Sequence, residues 1–531
     1  MDGGESGISG LSRRRAAAAM WFLVAMSGPI CDLAWAGQEA SPEGADQAQT
    51  GSVSPQPSPS DEPRHAQHER DLTHFHKDRA HYQEGTTDTH AFNWPDGSIR
   101  VLKKTDLHLD KVLGVPEWLH IGLHQRTRYE TLDQPFQKGQ VSGEHLVALQ
   151  TLPSLGIRRD AFRFFAEMID ARVYGSSDRF VTTNSFVDKT DILQLYGGLG
   201  TQNFLETNLH AEATFGRQTF DFGSRRLIGR NQFRNTVNAF DGLHVSLGDD
   251  RNWQVRAFVV APVQRLTAKP DTEARTLFWG AFLGQRGLKW AHTDLYLYFL
   301  EDEVKPGAVP GLQRSLLTPG FRLFKEPATG EVDYEVETVW QVGRAALVQG
   351  GPQLQKFAYF QHVQMGYTFD LPWKPQLLIR YDYASGNHDP NGNKDGRFDT
   401  LYGPTNFELN PTGAFEVFAR SNISSPAWRL AVDPSRMVRV TFQHRVFWLA
   451  QSQDQWINTG LQDPTGRAGN FLGHFFEARG RWLLSSNFSL EPGWCYLAKG
   501  SFISNLLAAG APGTPNDKNA NYVYVQGVLN F

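Results

Sequence analysis

The chain has 531 residues, a formal net charge of −4, 40% hydrophobic residues and a mean hydropathy of −0.42. That length holds several soluble domains or one very large barrel. The composition is too polar for a bundle of membrane helices, and so small a charge points to no nucleic-acid partner.

Residues 1–36 read as a secretory signal peptide. Arg13, Arg14 and Arg15 form a positive region, Ala16 to Ala25 a short apolar core, and Ala34-Trp35-Ala36 a small-x-small cleavage site before Gly37. The core falls well short of the ~20 apolar residues a spanning helix needs. Cys31 lies upstream of that site in a poor lipidation box, so cleavage leaves Cys495 as the only thiol and the mature chain without an internal disulfide.

Residues 37–95 read as a disordered linker, Pro- and Ser-rich at first and His-rich later, with too little apolar surface to offset chain ordering. His65, His68, His74, His76, His81 and His90 fit no closed zinc spacing and no Cys assists them. The expectation is a solvated tail, with room for a periplasmic partner. Residues 96–117, with Asp96-Gly97 as a turn signal, form a lead-in or a short plug.

From Trp118 the pattern becomes strand-like and stays so to Phe531. Stretches fall near 118–130, 144–158, 162–175, 191–200, 205–222, 239–248, 253–262, 275–285 and 292–302. More follow near 312–325, 332–344, 356–370, 375–386, 422–433, 436–450, 472–484, 487–502 and 521–531. Short turns such as Asp433-Pro434-Ser435 alternate with longer polar connections at 176–190, 223–238, 263–274, 387–421, 451–471 and 503–520. That alternation is the habit of a membrane barrel with short periplasmic turns and long outer loops. The expected fold is all-β: a transmembrane antiparallel β-barrel of about 18 strands over 118–531, in the bacterial outer membrane.

Side-chain parity carries the argument further, because a strand turns alternate residues to opposite faces. In 375–386, Leu377, Ile379, Tyr381 and Tyr383 oppose Arg380 and Asp382. In 436–450, Val438, Val440, Phe442 and Val446 oppose Arg439, Gln443 and Arg445, with His444 an exception on the apolar face. In 472–484, Ala478, Gly480 and Trp482 oppose Glu477, Arg479 and Arg481. A soluble sheet also has one polar face, but there the apolar faces meet in a core. In a barrel the polar face lines the lumen, and Arg turned to lipid at mid-membrane costs roughly 2–4 kcal/mol. The last strand, Tyr522 to Phe531, has one fully apolar face ending in Phe531, which resembles the assembly signal that outer-membrane barrels present to the barrel-assembly machinery.

Arg126-Thr-Arg128-Tyr-Glu130 puts Arg126, Arg128 and Glu130 on one face, with His120 and His124 behind them. Then come Gly216-Arg217-Gln218, the basic run through Arg225, Arg226 and Arg230, Arg234-Asn235, and Phe240-Asp241-Gly242. Later come Ala384-Ser385-Gly386 through Asp389-Pro390 and Gly396-Arg397-Phe398-Asp399. In this order the motifs resemble those of the alginate export family, outer-membrane porins of about eighteen strands that pass anionic polysaccharide. The long His-rich linker is not a feature of that resemblance.

The resemblance implies passive, anion-selective passage, with export the expected direction, of an alginate-like polysaccharide or oligosaccharide. A guanidinium pairs carboxylates through a fixed fork of donors, and rings of Arg select anions. The candidate pathway residues are Arg126, Arg128, Glu130, Arg217, Arg225, Arg226, Arg230, Asp241, Arg380, Asp382, Arg439, Arg445, Glu477, Arg479 and Arg481. The carboxylates among them keep the arginines apart and binding weak; alternatively, the charges are salt-bridge ladders that close the lumen. Two other readings stand beside export: a general or sugar-acid uptake porin, and a secreted carbohydrate-binding β protein. No catalytic pair is placed at a glycosidase separation, and no G-x-S-x-G occurs, so an enzyme is not expected. Asp389, Asn391, Asn393 and Asp395 alternate like the start of a calcium loop, but Lys394 stands where Gly belongs and no bidentate Glu follows. A Ca²⁺ in this outer loop is the one cofactor the sequence offers.

Overall fold

The computed structural model describes residues 109–531, apart from 117, 177–182, 208, 232, 250–251, 268, 274, 287, 289, 303–312, 406–407 and 486. The segments read as a signal peptide and a His-rich linker, and most of the lead-in, lie outside the described residues. The described part of the lead-in holds a short helix, α1 (Leu109–Leu113), which the sequence reading did not anticipate.

Eighteen long strands close into one antiparallel barrel. They are β1 (Leu119–Leu132), β2 (Glu144–Arg159), β3 (Phe162–Tyr174), β4 (Asp188–Phe204), β5 (Leu209–Gln218), β6 (Phe240–Asp249), β7 (Trp253–Gln264), β8 (Thr276–Gln285) and β9 (His292–Asp302). Then come β10 (Ser315–Lys325), β11 (Val332–Ala345), β12 (Leu354–Thr368), β13 (Gln376–Ala384), β14 (Ile423–Ser435), β15 (Val438–Trp448), β16 (Phe471–Leu483), β17 (Phe488–Lys499) and β18 (Ala520–Asn530). Each strand pairs with its sequence neighbour, and β1 pairs with β18 from His124 opposite Asn530 to Leu132 opposite Tyr522. The terminal residue extends that seam: Phe531 N donates to Leu123 O and Leu123 N to Phe531 O, at 2.9 and 3.1 Å. Closure leaves no unpaired edge, which the interior of a bilayer requires of a sheet.

Alternation decides which face meets lipid. Leu199, Phe215, Phe357 and Ile379 are 64%, 70%, 63% and 57% exposed, while Arg128, Glu130, Asp382 and Arg445 are wholly buried on the opposite parity. The cost of a one-residue slip, which would trade these sets, fixes the register. β2 and β4 run 16 and 17 residues, beyond the ~9–11 of a tilted crossing strand, so their ends stand clear of the hydrocarbon.

Short turns such as 160–161, 436–437 and 484–487 gather at the end where the first strand begins and the last one stops. The long connections, including 219–239, 385–422, 449–470 and 500–519 with its helix α2 (Ser501–Ala508), gather at the other. The first end is periplasmic and the second outer, by the general habit of such barrels.

The interior is not uniformly polar, which departs from the expectation of a wholly polar lumen. Phe258, Phe278 and Tyr298 point inward from β7, β8 and β9 and pack on Phe220 and Phe222 of the 219–239 connection. Phe415 of 385–422 stacks on Tyr522, and Phe418 lies against Trp456 of 449–470. These connections, read from sequence as polar loops apart from Phe220 and Phe222, which were placed in a strand stretch, carry a packed apolar side into the barrel.

Candidate functional site

The inward-folded connections meet the barrel wall through buried charge. Arg226, in the 219–239 connection, pairs with Glu335 and Glu337 of β11 and with Glu408 of the 385–422 connection. Glu408 also holds Arg420, Glu335 accepts from Arg322 of β10 at 2.8 Å, and Glu337 accepts from Tyr296 of β9 at 2.6 Å. All these carboxylates and guanidiniums are nearly or wholly buried. This hub ties two connections to three strands. Glu335 and Glu337 were missed from sequence although they share one parity of β11, the same signal that revealed Arg126 and Arg128.

Several expected pathway residues serve as anchors of the same kind. Arg128 donates to Glu130 at 2.7 Å and to Phe233 O at 2.5 Å, and its guanidinium lies 3.8 Å over the Phe233 ring. Glu130 Oε2 accepts from Ala414 N and Tyr522 Oη at 2.6 and 2.8 Å. Arg126 donates to Arg234 O and Asn235 Oδ1. Arg225 pairs with Asp221 at 2.7 Å, and Arg230 grips Glu167 of β3 at 2.8 and 3.1 Å. Gly413 is required at the Glu130 anchor, because a Cβ there would stand 2.3 Å from Glu130 Oε2.

Arg217 and Asp241 need correction. They pair at 2.8 and 3.0 Å across β5 and β6, but they share the outward parity of Phe215 and Leu243, at the outer ends of those strands. They therefore form a rim clasp on the outside of the barrel. Gly216 and Gly242, both at positive φ beside them, mark the backbone bend at that rim.

The remaining candidates form a basic wall. On the inward parity of β13 to β16, Arg439 stands opposite Arg481, and Thr441 opposite Arg479. Gln443 is flanked by Arg429 and Glu477, and Ala427 by Arg380 and Arg445. These four successive rows rise from the periplasmic end, roughly 7 Å apart. Their countercharges are uneven. Arg445 is held by Asp382, itself 2.7 Å from His362, and Arg481 bonds Glu491 at 2.7 Å. Arg439 stands 3.6 Å from Asp433 and donates to Gln376 Oε1 at 3.1 Å, and Arg479 stands 3.7 Å from Glu477. Arg380, 3% exposed, has Nε and one terminal nitrogen without a hydrogen-bond partner among the described residues. Like charges directly opposite destabilise a sheet, so Arg439 opposite Arg481 is not a stability device.

The sequence of this chain matches the alginate export family model over residues 117–510. The chain belongs to the alginate export family. Among solved structures, this alginate export barrel is similar to Acinetobacter baumannii OccAB3, with a TM-score of 0.52 and 10% identity over 78% of this chain and 99% of that one. It is also similar to Pseudomonas aeruginosa OccD3, at 0.50 and 9% over 78% and 91%, and to P. aeruginosa OpdK solved with vanillate, at 0.50 and 11% over 77% and 99%. At these identities the likeness is one of fold. No curated protein sequence is a significant match. The alginate export barrel is an outer-membrane channel protein.

In the loop that resembles the start of a calcium loop, two carboxylates make local bonds. Asp395 bonds Lys356 Nζ and Arg397 N, each at 2.8 Å, and Asp389 caps Asn391 N at 3.0 Å.

Proposed function

We propose that this barrel passes an acidic, alginate-like polysaccharide or its oligosaccharides outward, passively and with preference for anions, along the basic wall of β13 to β16. The observation that carries the reading is Arg439 set directly opposite Arg481, with Arg380 three rows above and incompletely bonded. An incompletely bonded guanidinium in a polar passage is a donor held ready for a passing carboxylate. The interleaved Asp382, Glu477 and Glu491 limit how tightly any one carboxylate is held, so a polymer steps from row to row.

The test is a planar-bilayer recording with a salt gradient. Wild-type channels are expected to favour anions, less so at high salt, where charges are screened beyond about 3–10 Å. Replacing Arg380, Arg439 and Arg479 together with Gln should lower that preference and lower polyuronate flux more than neutral oligosaccharide flux. An unchanged reversal potential in a folded triple variant overturns the reading. A small-carboxylate uptake channel is the second reading, favoured by the two connections that fold into the outer half. Flux of monomeric uronate without flux of polymer would select it.

A further inference from the structure

Three carboxylates meet near the outer rim, on elements outside the basic wall. Asp188 opens β4, Asp191 follows in the same strand, and Asp271 comes from the 265–275 connection between β7 and β8. One oxygen from each lies within 4.8 Å of the other two. Oxygens on opposite sides of a Ca²⁺ ion, each at ~2.3–2.6 Å, are ~4.6–5.2 Å apart, so a single ion spans this set.

A second observation points the same way. Asp188 is 1% exposed, and its buried Oδ1 has no hydrogen-bond partner among the described residues. A buried carboxylate oxygen with no donor is costly unless something positive faces it. The other two carboxylates are oriented by backbone donors. Asp191 accepts from Ile192 N at 2.6 Å and from Asp271 N at 2.5 Å, and Asp271 accepts from Leu266 N at 2.7 Å.

The neighbouring cations are engaged elsewhere. Arg217 spends its fork on Asp241 and Ile192 O. Arg265 donates to Asn184 O and Asn238 Oδ1. Neither hydrogen-bonds to the three carboxylates.

We infer that Asp188, Asp191 and Asp271 bind one hard divalent cation of the Ca²⁺ class, which ties the 265–275 connection to the head of β4. An all-oxygen, all-carboxylate set suits Ca²⁺ over the softer transition metals. Asp191 and Asp271 are partly open to solvent, so water completes the 6–8 ligands that Ca²⁺ takes. Mg²⁺ demands a tighter octahedron at ~2.0–2.1 Å, which three carboxylates on two separate elements are poorly placed to make.

The experiment is calorimetric titration of CaCl₂ into the full chain, purified in detergent and stripped with EDTA. One Ca²⁺ per chain is expected, with Kd in the ~10⁻⁴–10⁻³ M range of outer, solvent-facing sites. Asp188→Asn and Asp271→Asn should each weaken binding by about tenfold or more, since ligand charge count sets affinity in such sites. Asp389→Asn should leave it unchanged. Folding of each variant is read from heat-modifiable migration on a gel; should Asp188→Asn fail it, the loop variant Asp271→Asn decides. Absence of binding to the folded wild type, or wild-type affinity in folded Asp271→Asn, overturns the inference. Because the readout is metal binding, either result leaves the channel reading standing.

Discussion

Arg226 reaches three carboxylates on two different parts of the chain, and its loss should be felt in both. In Arg226→Ala, Glu335, Glu337 and Glu408 would face one another with Arg322 and Arg420 left to serve them. Removing one partner of a buried pair costs about 3–5 kcal/mol. The strand ladders are backbone hydrogen bonds in which the Arg226 side chain takes no part, so the strands should still close. The expected outcome is a folded barrel whose inward connections are loosened. Single-channel recordings should show larger and noisier conductance than wild type. Conductance identical to wild type would mean that the two connections do not narrow the passage. Arg445 is a different case: its partner Asp382 belongs to the wall itself, so Arg445→Ala should lower thermal stability more than it changes conductance.

At the scale of the element, the 385–422 connection is the informative one. Its seat on β1 and β18 depends on Gly413, where any side chain meets Glu130 and the Tyr522 hydroxyl. Gly413→Ala should unseat this stretch for a cost on the order of 1–3 kcal/mol. Protease would then cut near 410–416 in intact cells while the barrel resists, and a protected loop in that variant would show that Phe415 and Phe418 hold it alone. The same connection shows how far sequence reaches. Every one of the eighteen strands overlaps a stretch expected from alternation, because one face is lipid-apolar and period two survives. The boundaries move most around β5 and β17: the β4–β5 junction, expected at 201–204, falls at 205–208, β5 stops at Gln218 rather than 222, and β17 stops at Lys499, where α2 takes over the end of the stretch expected to reach 502. The inward fold of 219–239 and 385–422 was not legible, since apolar residues in a connection have no period to follow. Phe233, Phe415, Val417 and Phe418 in stretches read as polar were the available sign. Arg126 and Arg128 were found by parity, but their partners are backbone carbonyls a hundred residues away, which no spacing rule reports.

For the whole molecule, closure rests on the pairing of β1 with β18, and the carboxyl terminus lies within that pairing. Phe531→Asp should reduce outer-membrane levels without reducing export across the inner membrane, as immunoblots of fractionated cells would report. Normal levels would mean that Phe531 is dispensable for assembly. Deleting residues 38–90 should leave a heat-modifiable, detergent-requiring barrel, because this segment has little apolar content to lend to a core. A truncated chain found only in the soluble fraction would assign the segment a part in insertion.

The β1–β18 seam also sets an order of events. Leu123 and Phe531 can exchange their hydrogen bonds only after β18 has been made and delivered. Contacts so distant along the chain form slowly, because a long loop must be closed before any of them is rewarded. Until then the nascent sheet carries two open edges and the outward apolar face of the unfinished wall, both prone to associating with other chains. The chain therefore has a waiting period built into its topology, whose length is set by the arrival of its final strand. Whatever shelters it during that interval must hold nearly the whole protein at once.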